Sequence, residues 1–286
     1  MGLTAHLLPD GQRLHLQHGP IDLIIGAEGQ RRVAFEAAVA RFETILDALV
    51  AELPALRAEM SQALAMPTGA VARRMHRAAL GVPGDVFFTR MAAVAGAVAD
   101  EVLAAMVSQA ELARAFVNNG GDIALHLEGD AQFRLMMSDH TGRGLGRIVL
   151  RAGEGVGGIA TSGRHGRSHS LGIADSVTVL APCAAQADVA ATLIANSVDL
   201  PGHPAIRRRP ANALMEDSDL GARPVVAGCG PLTDAECARA LGAGRRVADA
   251  FTAAGLITDA ALFLHAHADL TDGPRLSVAD KEPAHA

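Results

Sequence analysis

The sequence has no tryptophan, no tyrosine and only eight phenylalanines in 286 residues. Aromatic side chains are the usual platforms on which nucleic-acid bases stack, so a base-binding surface is not expected. The formal net charge of -6 also argues against a partner with a phosphate backbone. The one concentrated basic run, Arg207 to Arg209, is followed by Pro210 and indicates an exposed loop. Nucleic acid is therefore not an expected partner.

Cysteine and long apolar runs are scarce as well. The three cysteines are irregularly spaced and include no CxxC pair, so the sequence indicates neither a disulfide framework nor a zinc site and fits a reducing compartment. No uninterrupted run reaches the about 18 apolar residues that a membrane span needs. The N-terminus lacks a basic segment followed by an apolar stretch of signal length. We expect a cytoplasmic protein with no membrane partner.

Half of the residues are hydrophobic, which is enough to bury a sizeable core. Strand patterns cover residues 3–27 and 115–182, and helical periodicity covers 31–53, 68–80, 92–110, 187–199 and 233–254. Because helices and strands do not alternate strictly, the sequence predicts an α+β fold with mixed or antiparallel sheets and packed helices. We expect one domain over residues 1–272 and a disordered tail over 273–286.

A polar stripe marks the helix predicted over residues 187–199. Asp188, Thr192 and Asn196 are spaced by four residues and share one face of an otherwise apolar helix. Carboxylate and hydroxyl oxygens are the ligands that Mg²⁺ prefers, so the stripe is a candidate for half of a magnesium–nucleotide site. A structural interpretation is also open: Asp188 stands where an N-cap residue would, and Thr192 can hydrogen-bond back to its own helix.

Glycine is concentrated upstream of this helix, in the segment GVGGIATSGRHGRSH of residues 155–169. Such a backbone can approach a phosphate closely, and Thr161, Ser162 and Ser168 add hydroxyl donors. A hairpin loop that needs several positive φ angles would have the same composition. A Ser–His nucleophile formed by Ser162 or Ser168 with His169 lacks the usual G-x-S-x-G sequence.

Three segments in this order resemble the ApbE-type FAD:protein FMN transferases. They are VNNGGDIAL (117–125), GIATSG (158–163) with His169 shortly after it, and SVTVLAPCAAQADVAATL (176–193). A weaker match, VAGAVADEV (94–102), resembles the start of a helix in that family through Gly96 and Asp100. The whole chain is more similar still to a compact, functionally uncharacterised prokaryotic branch of ApbE-like proteins, in which ATSGRHGRS and AATLIAN recur.

The resemblance implies an ApbE-type fold with a cleft for FAD and a divalent ion, Mg²⁺, held by Asp188 and Thr192. It implies His169 as the candidate acid or base. The residues expected to bind the flavin nucleotide are Asn118, Asn119, Gly120, Gly121, Asp122, Gly96, Asp100, Thr161, Ser162 and Gly163. In this family the Asn-Asn-Gly-Gly-Asp turn borders the nucleotide cleft, where glycines let the main chain lie against the ligand.

The chain departs from the family at three places. Ala95 stands where the transferases have a lysine, and SLGIAD follows His169 where they have a D-P-x-T-G turn. Phe87, Phe88 and Phe116 are the only nearby aromatic residues that could stack on a flavin. The expected activities are therefore FMN transfer, cleavage of the pyrophosphate, or chemistry on another phosphorylated or pterin-like ligand.

A non-catalytic protein that binds a cofactor or assists assembly is the alternative from a different functional class. The apolar helix over residues 92–110 and the C-terminal third also leave room for a homodimer.

Overall fold

The computed structural model describes residues 2–83 and 86–279. The strands are β1 (Thr4–Leu7), β2 (Arg13–His18), β3 (Ile21–Gly29), β4 (Leu112–Asn119), β5 (Asp122–Leu127), β6 (Gln132–Ser138), β7 (Gly144–Arg151), β8 (Gly158–Ser162), β9 (Ser176–Ala181), β10 (Ile206–Pro210), β11 (Pro224–Cys229), β12 (Asp259–Leu264), β13 (His267–Leu270) and β14 (Leu276–Val278). The helices are α1 (Arg31–Phe42), α2 (Ile45–Leu56), α3 (Ala70–Leu80), α4 (Val94–Gln109), α5 (Ala184–Ser197) and α6 (Asp234–Ala253), and a 3₁₀ turn (Arg90–Ala93) leads into α4.

A nine-stranded antiparallel sheet divides the molecule into layers. Its strand order is β1-β2-β3-β4-β5-β8-β9-β12-β13, and a three-stranded sheet has the order β14-β7-β6. Strand β9 shows the division, because Val177 and Val179 face the large core with the helices, whereas Leu180 faces the smaller core with the three-stranded sheet. The predicted α+β class, with antiparallel sheets and packed helices, is confirmed.

Helix α4 lies in the large core and packs against α1, α3 and α5 and against β4 and β5. Together with its 3₁₀ turn it forms a 20-residue segment, Arg90–Gln109, that by length and composition alone could cross a membrane. The count of uninterrupted apolar residues missed this segment because Asp100 and Glu101 interrupt the run. The burial of one face among other elements is typical of a core helix in a soluble protein. Other elements of the same subunit cover α4. The homodimer, which was expected partly from this helix, stays a prediction.

Three sequence predictions need correction. The helix predicted over 31–53 is two helices, because the chain breaks at Glu43 and Thr44 while the apolar periodicity continues across the break. The exposed loop predicted at Arg207 to Arg209 is part of β10, which pairs with β11. The tail predicted to be disordered contains β14, which pairs with β7, and residues 280–286 lie outside the described part of the chain.

The start of α5 depends on a carboxylate from α4. The backbone amides of Ala184 and Ala185 each donate to Asp100, over 2.9 Å to Oδ1 and over 2.9 Å to Oδ2. These are two of the amides that no carbonyl within the helix can accept from, so Asp100 caps α5 from outside. Helix α5 thus begins three residues before the predicted position 187, and Asp188 is not its N-cap but lies in its second turn.

Gly96 is where α4 and α5 approach most closely. A Cβ added there would lie 2.2 Å from the carbonyl oxygen of Ala184, and a backbone atom cannot move aside as a flexible side chain can. We expect Gly96→Ala to lower the free energy of unfolding by about 1–3 kcal/mol, the usual cost of overpacking. Urea denaturation measures this loss.

Gly242→Ala in α6 is the matched control, because its Cβ would meet only the end of the Arg246 side chain at 3.8 Å. Since alanine favours helix over glycine, this control should be neutral or should stabilise the protein by about 0.5–1 kcal/mol. Equal stability of the two variants would show that the close contact at Gly96 does not constrain the fold.

Candidate functional site

A cavity of about 500 Å³ lies on the helical side of the large sheet. One end is apolar and is lined by aliphatic side chains of α2, namely Leu46, Leu49, Val50, Leu53 and Leu56. The other end is polar and is lined by Asp122 of β5 and by Asp188 and Thr192 of α5. Its volume and its mixture of apolar walls with a few polar groups are typical of a small-molecule site.

The β4–β5 turn forms one wall of the polar end. Gly120 and Gly121 have φ angles of 67° and 113°, which side chains rarely allow, and this explains the double glycine of the sequence. The side-chain Nδ2 atom of Asn119 donates to the carbonyl oxygen of Ala95 over 3.1 Å, which connects the turn to the start of α4. Asn119, Gly120 and Asp122 line the cavity, so the main chain bends around this space.

Two carboxylates, those of Asp122 and Asp188, line the polar end of this cavity. Asp188 Oδ2 accepts a hydrogen bond from the amide of Gly96 over 3.0 Å, and the backbone of Thr161 in β8 lies close to the Asp122 carboxyl. Burial raises the pKa of Asp122 from 3.8 to about 7. Burial, followed by repulsion from Asp122, raises the pKa of Asp188 well above its ordinary value. A positive charge between them would relieve both effects.

The oxygen atoms of Asp122, Asp188 and Thr192 fit a hard divalent cation. Over residues 2–83 and 86–279 no group of three or more His, Cys, Asp or Glu side chains is arranged to hold a metal. A cage of three or more such side chains is therefore absent from these residues. Mg²⁺ commonly uses one or two carboxylates and completes its shell with water and substrate phosphates, which matches this set.

An adjoining cavity of about 300 Å³ shares Asp122, Asp188 and Thr192 with the first. His169 lines it, and the Nε2 atom of this histidine is buried without a hydrogen-bond partner among the described residues. A buried polar atom without a partner is costly, so a ligand or a water is expected to meet it. Phe87 and Phe88 line this second cavity.

The glycine-rich segment divides its side chains between the two faces of the sheet. Thr161 Oγ1 lies 3.0 Å from Thr178 Oγ1, on the face turned towards the three-stranded sheet. Ser162 and Gly163 border both the helical-side cavity and a separate cavity of about 400 Å³ between the sheets. Thr161, Ser162 and Gly163 all line the helical-side cavity, although the Thr161 hydroxyl meets Thr178 on the other face of the sheet.

Several other predicted site residues have structural roles. Gly96 and Asp100 lie outside both helical-side cavities and fix α4 against α5, and the Gly96 amide also meets Asp188. The Oδ1 atom of Asn118 accepts from the amide of Gly121 over 2.9 Å within the turn. Asn196, the third member of the polar stripe, accepts from the amide of Leu171 over 2.9 Å. Direct ligand contact by these residues stays a prediction.

The sequence interpretation missed Arg57 and the aliphatic wall of α2. Arg57 ends α2 and lines both helical-side cavities, as does Arg167 of the glycine-rich segment. Periodicity indicates only that α2 is amphipathic and does not show which element its apolar face meets. No motif connects Arg57 to Asp188 along the chain, so no signal in a single sequence could have identified it.

A family model described as "AbpE bacteria" matches residues 5–271. The chain belongs to this family. A relative of 39% identity, the UPF0280 protein of Methanopyrus kandleri, aligns over 61% of this chain and 69% of its own length. The UPF0280 protein of Methanothermobacter thermautotrophicus is 37% identical over 39% of this chain and 43% of its own length.

Two solved structures are similar to the whole chain. The ApbE protein of Thermotoga maritima has 13% identity and a TM-score of 0.49, covering 94% of this chain and 97% of its own. The flavin transferase ApbE of Vibrio cholerae has 12% identity and a TM-score of 0.39, covering 97% and 98% respectively. The assignment to the ApbE-like family rests on the family model and on the sequence relatives.

The raised pKa of Asp122 predicts a pH-dependent difference in stability between the metal-free protein and its Asp122→Asn variant. Between pH 3.8 and about 7 the unfolded carboxyl is ionised while the folded one keeps its proton, so the wild type loses stability as pH rises through this window. The variant has no carboxyl to ionise at position 122. Its stability relative to wild type should therefore rise across the window and level off above pH 7.

Thermal unfolding in a chelating buffer at several pH values measures this difference. Asp130→Asn, in an exposed turn between β5 and β6, is the matched control and should show no such trend. A constant difference between wild type and Asp122→Asn from pH 4 to 8 would contradict the raised pKa.

Proposed function

We propose that this protein binds FAD together with Mg²⁺ and either transfers the FMN part or cleaves the pyrophosphate. The single observation behind the proposal is the convergence of Asp122, Asp188 and Thr192 at the junction of two ligand-sized cavities. Hard oxygen ligands at such a junction are suited to a metal–pyrophosphate group with one half of a dinucleotide on either side. Membership of the ApbE-like family supports the same assignment.

Each group that lines the site has a separate role in this proposal. Asp188 and Thr192 would hold the ion with help from Asp122, and an ion there would supply positive charge that offsets the charge of the pyrophosphate. The amides and glycines of the β4–β5 turn lie against the nucleotide, and Ser162 and Gly163 border it from the opposite wall. The Nε2 atom of His169 takes the proton from the attacking hydroxyl or water. The aliphatic wall of α2 excludes water from the apolar half.

A second candidate is an enzyme that acts on a different phosphorylated or pterin-like ligand. Ala95 favours it, because Ala95 lines both cavities at the position where the family's lysine would add a positive charge. This candidate keeps the same ion and the same histidine and changes only the organic part of the ligand.

Isothermal titration with FAD, with and without Mg²⁺, tests the proposal. We expect binding that Mg²⁺ strengthens at least tenfold, and we expect Asp188→Asn to abolish this gain because it removes the charge that holds the ion. Asp130→Asn removes a carboxylate of similar type far from the cavities and should bind like wild type. Absence of binding under every condition would overturn the flavin assignment and leave the second candidate.

His169→Gln separates binding from catalysis. The glutamine keeps a polar group of similar size but cannot accept a proton as imidazole does, so FAD affinity should stay within about threefold while the rate of FAD cleavage or FMN transfer falls about 10²–10⁴-fold. Single-turnover assays on FAD measure the rate. His126→Gln is the control, since His126 bonds to the carbonyl oxygen of Leu112 away from both cavities. An unchanged rate in the first variant would remove His169 from the mechanism.

A further inference from the structure

The two helical-side cavities are lined by groups of opposite charge. Asp122 and Asp188 lie at the polar end, and Arg57 and Arg167 line the same two cavities from exposed positions. The arginines come from unrelated segments, one from the end of α2 and one from the glycine-rich segment after β8. The structure therefore brings two guanidinium groups to the lining of the same two cavities.

Several other arginines of this protein form ion pairs with carboxylates. Arg41 and Arg74 both pair with Glu101, at 2.9 and 2.6 Å, and Arg164 pairs with Asp175 at 2.6 Å. Within residues 2–83 and 86–279, neither Arg57 nor Arg167 has a carboxylate within ion-pair distance or a side-chain hydrogen bond to an acceptor. Their donors are thus available to a ligand, and each guanidinium can donate two parallel hydrogen bonds to a phosphate.

Charge complementarity decides which ligand these groups suit. A neutral ligand would leave the guanidiniums without partners, and a cation alone would satisfy only the carboxylates. A phosphate group next to a divalent ion satisfies both, because its oxygens can bind the ion on one side and the guanidiniums on the other. Ala95 also gives no positive charge to this part of the site, which leaves Arg57 and Arg167 as the cationic groups that line both cavities.

We propose that Arg57 and Arg167 are the anion-binding groups of this site and select a ligand with a diphosphate over its unphosphorylated counterpart. The inference rests on the proposed function for the position of the divalent ion, but it does not require that the organic part be a flavin. The arginines bind and orient the phosphate oxygens. They also supply, from α2 and from the glycine-rich segment, the positive charge that Ala95 lacks.

Titration with inorganic pyrophosphate in the presence of Mg²⁺ tests the arginines without any organic group. Wild type should bind it, Arg57→Gln and Arg167→Gln should each weaken binding about tenfold or more, and the double variant should weaken it further. Arg239→Gln is the control, because this exposed residue of α6 lies outside the cavities and its substitution changes the net charge equally. Both arginines are exposed, so the variants should fold, and an unchanged thermal midpoint verifies this.

A second readout compares FMN with riboflavin, which differ only in the phosphate. Wild type should prefer FMN, and the arginine variants should lose this preference while their affinity for riboflavin stays the same. Arg57→Lys with Arg167→Lys should restore part of the preference, since lysine keeps the charge but not the paired donors. Pyrophosphate binding that is unchanged in the glutamine variants, or reduced equally in Arg239→Gln, would overturn the proposal.

The two proposals fail in different ways. If pyrophosphate binds through the arginines but FAD does not bind at all, the anion site stands and the flavin assignment falls. If FAD binds with Mg²⁺ and the arginine variants bind it as wild type does, the flavin assignment stands and the anion site falls. No binding of pyrophosphate to wild type overturns the anion site directly.

Discussion

The close approach of α4 and α5 is the constraint on which the rest of the site depends. Asp100 accepts from the first amides of α5, and Gly96 leaves no side chain between the two backbones. The same approach lets the Gly96 amide donate to Asp188 in the second turn of α5. The packing of α4 against α5 therefore fixes where α5 begins, how near the two helices lie and how the carboxylate of Asp188 is oriented.

The position of Asp122 is set independently by the sheet. The double-glycine turn ends β4, and Asp122 begins β5 opposite Asn119 in the register. The backbone of Thr161 in the neighbouring strand β8 lies close to its carboxyl. A helix and the end of a strand thus place two carboxylates together. Burial raises the pKa of both groups, and repulsion from Asp122 raises that of Asp188 further. A fold tolerates such an arrangement where a bound cation offsets it, and this is the physical reason to regard the pair as a site rather than as two unrelated buried acids.

The sequence was informative wherever local chemistry determines structure. The VNNGGD turn, the strands around it and the polar stripe of α5 all follow from glycine, alternation and helical spacing, and the α+β class follows from their order. The start of α5 was misplaced because its cap comes from α4 and not from the adjacent chain. Arg57 and the wall of α2 could not be found at all, since they join the site only through tertiary packing. The direction of the Thr161 hydroxyl depends on the pleat of β8, which a glycine-rich segment does not reveal.

The loss of one lysine need not imply the loss of a function. A positive charge at the phosphate can come from any element that reaches the opening, and the electrostatic attraction depends on distance and burial and not on position in the chain. In this protein the start of α4 has Ala95 instead, while α2 and the glycine-rich segment each contribute an arginine to the same cavities. An arginine at the rim differs from a lysine near the ion, because it is more exposed and can hold two phosphate oxygens in one plane. Such a change would preserve recognition of the phosphate and alter the geometry of the ligand around it, so the organic half of the ligand is where this protein is expected to differ most from the transferases.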